Sequence, residues 1–171
     1  MASAPKPARE KIRPLAALAA ISRQAKSRKK RVVFTNGCFD VVHAGHVTIL
    51  EKARRLGDIL IVGVNSDKSV RAQNKAPDRP IIGGHDRALL LAALASVDYV
   101  VLFNEPTPLR VIEALKPDVL VKGADWETGD IVGRDAVERN GGKVVRVALV
   151  PGLSTTQLVE RIRAGKSALD D

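Results

Sequence analysis

Cysteine is almost missing from this chain of 171 residues, with Cys38 as the single one. An intramolecular disulfide framework is therefore excluded, and so is a zinc site built from several thiolates. A reducing, cytoplasmic setting is the expectation. Long apolar runs are missing too. A bilayer span needs roughly 18 apolar residues, whereas the run from Ile59 to Val64 ends after six. Acidic residues are scarce at one end only. Residues 1–31 carry ten Lys and Arg against Glu10 alone, a local charge of +9 that equals the net charge of the whole chain. Residues 32–171 therefore balance. The basic character belongs to an N-terminal arm and not to a stripe on the fold of the kind that binds duplex phosphates, so no nucleic-acid partner is expected. The arm itself reads as a solvated, partly disordered and partly helical tail. A secretory signal fits poorly. Leu15–Ile21 lies at the short end of the range for an apolar h-region, roughly 7–15 residues, and Arg23, Lys26 and Arg28–Arg31 follow it in place of a small-residue cleavage site.

What is present is a core. Apolar residues make up 45 % of the chain, which excludes wholesale disorder. After the arm, short β-branched runs alternate with amphipathic ones. Strands are expected at Val32–Thr35, Ile59–Val64, Tyr99–Phe103, Val119–Lys122 and Val144–Val147. Helices are expected at Val47–Leu56, Arg87–Leu94, Pro108–Leu115, Arg134–Arg139 and Thr155–Ile162, the last with Ser154 as N-cap. Residues 67–84 contain Pro77, Pro80 and two glycines without clear periodicity, and read as a loop. Strands without polar alternation, separated by helices, describe parallel strands covered on both faces. The expected fold is α/β, a Rossmann-like five-stranded parallel sheet in one domain. Its bounds are 32–165, after the arm of 1–31 and before a tail of 166–171. Ligands in such sheets sit at the carboxyl ends of the strands, which directs attention to 36–46, 65–75, 122–126 and 148–156.

The turn after the first strand reads T-N-G-C-F-D-V-V-H-A-G-H. It is neither the G-x-G-x-x-G of dinucleotide binders nor a P-loop. Instead His43 and His46 flank Gly45 at the mouth of a helix, where unpaired amides and a positive dipole suit a phosphate. Two imidazoles three residues apart can face one anion and stabilise charge gathering on phosphorus, and Gly45 lets a ligand approach the backbone. A plain surface turn or half of a metal site is the alternative. The third histidine, His85, stands in a loop without flanking cysteines, which makes the metal site the less attractive of these. Cys38, near a helix start and two histidines, is a candidate thiolate or a contact residue.

This segment resembles the signature of the cytidylyltransferase-type nucleotidyltransferases, and three further matches lie in order: N-S-D (65–67), K-G-A-D-W (122–126) and G-L-S-T-T (152–156). The likeness runs from about Leu15 to about Arg163. Within that superfamily, T-P-L-R-V-I-E-A-L-K-P-D-V-L-V-K-G-A-D-W most resembles the adenylyltransferases that make ADP-heptose for bacterial lipopolysaccharide. The resemblance implies ATP and a sugar 1-phosphate as substrates, Mg²⁺ bound mainly through nucleotide phosphates with no protein ligand named, a separate sugar kinase and a homodimer. It implies that His43, His46 and Lys75 are catalytic. Asn36, Gly37, Cys38, Phe39, Gly45, Lys122, Gly123, Asp125, Trp126, Ser154, Thr155 and Thr156 would hold the nucleotide. Asp40, Asn65, Asp67, Arg71 and Arg87 would meet the acceptor, with helix capping the other role open to Asp40. A cytidylyltransferase acting on glycerol 3-phosphate or another alcohol phosphate, and a non-catalytic nucleotide- or nucleic-acid-binding module, are the rival readings.

Overall fold

A computed structural model describes residues 6–73, 78–124, 131–148 and 150–166. Five strands form one sheet: β1 (Val32–Gly37), β2 (Ile59–Asn65), β3 (Tyr99–Phe103), β4 (Val119–Gly123) and β5 (Lys143–Val147). Their order is β3-β2-β1-β4-β5, with every pairing parallel. Helices connect them: α1 (Ala8–Lys11), α2 (Leu15–Ser27), α3 (Ala44–Arg54), α4 (Asp67–Ala72), α5 (Gly84–Ala93), α6 (Leu109–Leu115), α7 (Arg134–Arg139) and α8 (Thr155–Arg163). The sheet is buried on both faces, as the non-alternating strands require. One core layer joins Val33, Leu60 and Val62 to Leu50 of α3 and Leu91 of α5. The opposite layer joins Phe34, Ile61 and Leu120 to Leu18 of α2, Ile112 of α6 and Val137 of α7. The expected Rossmann-like α/β architecture is the observed one.

Three local differences matter for the site. β1 runs two residues beyond Thr35, so Asn36 and Gly37 pair with Gly63 and Val64 inside the sheet. Helix α3 begins at Ala44 rather than Val47, because His43 is its N-cap and accepts a hydrogen bond from the Gly45 amide. Part of the stretch read as a loop is α4, which Ser66 caps by accepting from the Ser69 amide at 3.3 Å.

The first 27 residues are not a solvated tail where the structure describes them. Ile12 bridges to Val100 of β3. Leu18, Ala19, Ser22 and Ala25 of α2 are buried, and the Ser22 hydroxyl donates to the Leu115 carbonyl at 2.7 Å. An amphipathic helix has covered the face that α6 leaves open.

Candidate active site

The strand order reverses between β1 and β4, the place where an open α/β sheet forms its crevice. Asn36, at the end of β1, and Lys122, at the end of β4, meet there: Lys122 Nζ donates to Asn36 Oδ1 at 2.6 Å. A cleft of about 460 Å³ opens above them. Its walls are the loop 38–43, the first turn of α3, Arg79, and the segment from Val150 into α8.

The loop into α3 is held in an uncommon shape. Phe39 and Val41 both adopt left-handed backbone angles, with φ of 50° and 52°. Such angles cost a non-glycine residue roughly 1–3 kcal/mol and persist where surroundings over-determine them. The surroundings here are explicit. Arg87 Nη1 donates to the Cys38 carbonyl, Thr155 Oγ1 donates to the Asp40 carbonyl at 2.8 Å, and the Phe39 ring packs edge-on to His46 with centroids 5.3 Å apart. Cys38 Sγ lies 3.6 Å from Gln73 Oε1.

The two histidines form a reciprocal cap. The Gly45 amide donates to His43 Nδ1 at 3.2 Å, and the His43 amide donates to His46 Nδ1 at 3.4 Å. Their rings stack 4.0 Å apart. With each Nδ1 accepting from backbone, a neutral ring carries its proton on Nε2, and both rings line the cleft. Burial, and then the neighbouring His43, push the His46 pKa down to about 4, and burial lowers that of His43 as well. Both rings are thus neutral donors near pH 7. Gly45 serves them in a way the sequence did not suggest. A Cβ there would lie 2.9 Å from His43 Cε1 and 3.4 Å from Leu153 Cβ, so the missing side chain makes room for the His43 ring.

Across the cleft stands the start of α8. Ser154 is its cap, accepting from the Gln157 amide at 3.2 Å. With the Thr155 hydroxyl committed to Asp40, the exposed Thr156 is left as the hydroxyl facing the cleft. The positive ends of α3 and α8 therefore border one space, an arrangement that suits anions.

Of the expected acceptor residues, Asp40 alone lines this cleft, and it does not cap a helix. Its carboxylate accepts from the amides of Ile81 and Ile82, both at 2.9 Å, and from Arg79 Nη1 at 3.1 Å. Burial alone would raise its pKa; those three donors outweigh it and hold the carboxyl below the ordinary value. Arg87 is fully buried, donating to the Ile82 carbonyl and Cys38 carbonyl and, at 2.8 Å, to Asp67 Oδ1. It and Asp67 hold loops together and do not reach the cleft. Asn65 is spent on Ser69 Oγ at 2.9 Å, and Arg71 lies exposed on α4, away from the cleft lining. Lys75, Asp125 and Trp126 lie outside the described residues. Arg79 was missed, and its one sequence signal is an Arg-Pro pair closing the loop after α4.

An α/β crevice with phosphate-seeking groups at two helix starts defines a nucleotide-binding protein of Rossmann-like class. Residues 34–161 match the profile of the family described as Cytidylyltransferase-like. The chain belongs to that family, whose domain is of the nucleotidyltransferase type. Among curated relatives, the Bifunctional protein HldE of Geotalea uraniireducens is 56% identical over 155 residues, covering 91% of this chain and 31% of its own length. The protein of the same name from Magnetococcus marinus is 58% identical over 137 residues, covering 80% and 28%. The chain thus spans about a third of the length of these relatives. A lipopolysaccharide core biosynthesis protein from Thermoplasma volcanium superposes with a TM-score of 0.59 at 28% identity, covering 71% of this chain and 97% of that one. No helix among the described residues is long and apolar enough to cross a membrane.

Proposed function

We propose that the protein transfers AMP from ATP to D-glycero-β-D-manno-heptose 1-phosphate, giving ADP-heptose and pyrophosphate. The observation that carries the chemistry is the histidine pair, whose Nδ1 atoms are tied to backbone amides, which leaves Nε2–H on two rings that line the cleft. The sugar is supported by the K-G-A-D-W segment and by the likeness to the HldE proteins and the lipopolysaccharide core protein.

In this reading the triphosphate spans the starts of α3 and α8. An oxygen of the sugar phosphate attacks the α-phosphorus in line, the bond from that phosphorus to the bridging oxygen breaks, and pyrophosphate leaves. His43 and His46 donate to oxygens on the phosphorus as charge gathers there, and Lys122 adds a cation at the sheet end. The protein acts by positioning and fixed donors, without an enzyme-bound intermediate. ATP would bring Mg²⁺ with it as part of the substrate, the ion supplying positive charge to the phosphates and held mainly through them. Asp40 supports this, since the carboxylate on the described cleft wall already accepts from three N–H groups. Lys75, Asp125 and Trp126 are proposed to complete the phosphate and nucleoside contacts. A sugar kinase would supply the 1-phosphate, and a cytoplasmic homodimer is the proposed working form.

The test is pyrophosphate release with Mg²⁺, ATP or CTP, and a panel of sugar and polyol phosphates. Release with ATP and the heptose 1-phosphate is expected. Release only with CTP and another phosphate overturns the substrate pair while keeping the mechanism, and no release with any pair overturns catalysis.

A further inference from the structure

The loop before α5 carries a cation that the phosphate-binding motifs leave unused. Arg79 lines the cleft with its side chain only 14% exposed. Its one hydrogen bond among the described residues runs from Nη1 to Asp40 Oδ2 at 3.1 Å. A guanidinium offers five N–H donors in a planar fork, so most of this one is left for a guest. Asp40 does not cancel it, because that carboxylate is shared with the amides of Ile81 and Ile82.

The loop is also built to hold the fork still. Asp78 is paired with the Arg163 guanidinium, Pro80 fixes its own φ, Ile81 and Ile82 are tied to Asp40, and the Ile82 carbonyl accepts from the buried Arg87 at 2.8 Å. A cation held this way binds an anion without first losing its own freedom. Its place in the topology separates it from the cation at the sheet end. Lys122 and Gly123 end β4, on one side of β1, whereas Arg79 follows β2 and α4, on the other.

We propose that Arg79 is the residue that binds the phosphate monoester of the acceptor, held by Asp40 so that its remaining donors form a fork for that phosphate. This rests on the reading of the protein as a transferase to a phosphorylated acceptor. The test is calorimetric titration of the full chain with mannose 1-phosphate and, separately, with ATP and Mg²⁺, for the parent, Arg79→Lys and Arg79→Met. Losing charge-assisted hydrogen bonds should weaken monoester binding by about ten- to hundredfold in Arg79→Met. Arg79→Lys, which keeps the charge and loses the fork, should fall between, and ATP affinity should stay within about twofold. An equal loss for ATP assigns Arg79 to the nucleotide and overturns the proposal, as does unchanged monoester binding in a folded Arg79→Met or no monoester binding by the parent. Because the readout is binding, failure of heptose turnover overturns the substrate assignment alone.

Discussion

Gly45→Ala separates what the histidine pair does for the fold from what it does for the reaction. Gly45 sits at the second position of α3 with ordinary helical φ, so alanine relieves the entropic cost of glycine there by about 0.5–1 kcal/mol. The new Cβ would stand 2.9 Å from His43 Cε1 and 3.0 Å from Nδ1, and Leu153 Cβ at 3.4 Å leaves little room on the other side. The ring is the part that can yield, since it is the far end of a side chain. Moving it breaks the bond from the Gly45 amide, a cap worth about 1 kcal/mol. Gain and loss nearly cancel, so Tm should move by less than about 4 °C. Turnover should not be spared. The His43 ring rests 4.0 Å from that of His46, and a displacement of about 1 Å in a positioned group costs on the order of 10²-fold in rate. Thermal melts and pyrophosphate release on the same preparation measure both. Turnover within about threefold of the parent in a folded variant refutes the reasoning, and a large drop in Tm shows that the backbone, not the ring, absorbed the clash.

His46→Ala should keep the fold and lower the rate by roughly 10²-fold or more, as expected for lost transition-state donors; near-normal turnover sinks the assignment. Stability should fall as pH drops from about 6.5 toward 4, because His46, held near 4 by burial and then by His43, takes up its proton only on unfolding. Its share is on the order of 3 kcal/mol, to be read from urea melts at pH 7 and 4.5, and the slope must flatten in His46→Gln. Leu18→Ala, at a fully buried position of α2, should cost about 2–5 kcal/mol. A solvated arm would make that change neutral.

The sheet was legible because its strands are nearly unbroken β-branched runs, and the place of the histidine pair because it falls between the first strand and the helix that follows. Where α3 begins was not, since apolar periodicity starts at Val47 while the cap that starts the helix is an imidazole, His43. Helix α4 has six residues and buries only Ser69 and Val70, too little for a period to show; Ser66 before Asp67 was its one visible signal. The resemblance puts Arg87 at the acceptor, since a motif match carries residue type and position in the chain but not contacts. That its guanidinium closes onto Cys38, 49 residues earlier, is a property of the fold. Asp40 and Arg79 pose the same problem over 39 residues.

The arm shows why a count of charges misleads when the face is unknown. In α2 the buried positions are Leu18, Ala19, Ser22 and Ala25, three of them small residues that let the helix lie close but give a weak apolar stripe. The surrounding cations then dominate any reading by composition. In the structure some of those cations have structural work at helix ends. Lys26 Nζ donates to the Lys116 carbonyl at the end of α6 and pairs with Asp118 at 3.2 Å. Lys11 Nζ donates to the Leu94 carbonyl just past α5 and to the Val97 carbonyl at 2.9 Å. A positive charge at a helix C-terminus satisfies orphan carbonyls and favours the dipole. These two lysines are therefore caps contributed from outside the helices they stabilise, and their charge is answered within the fold.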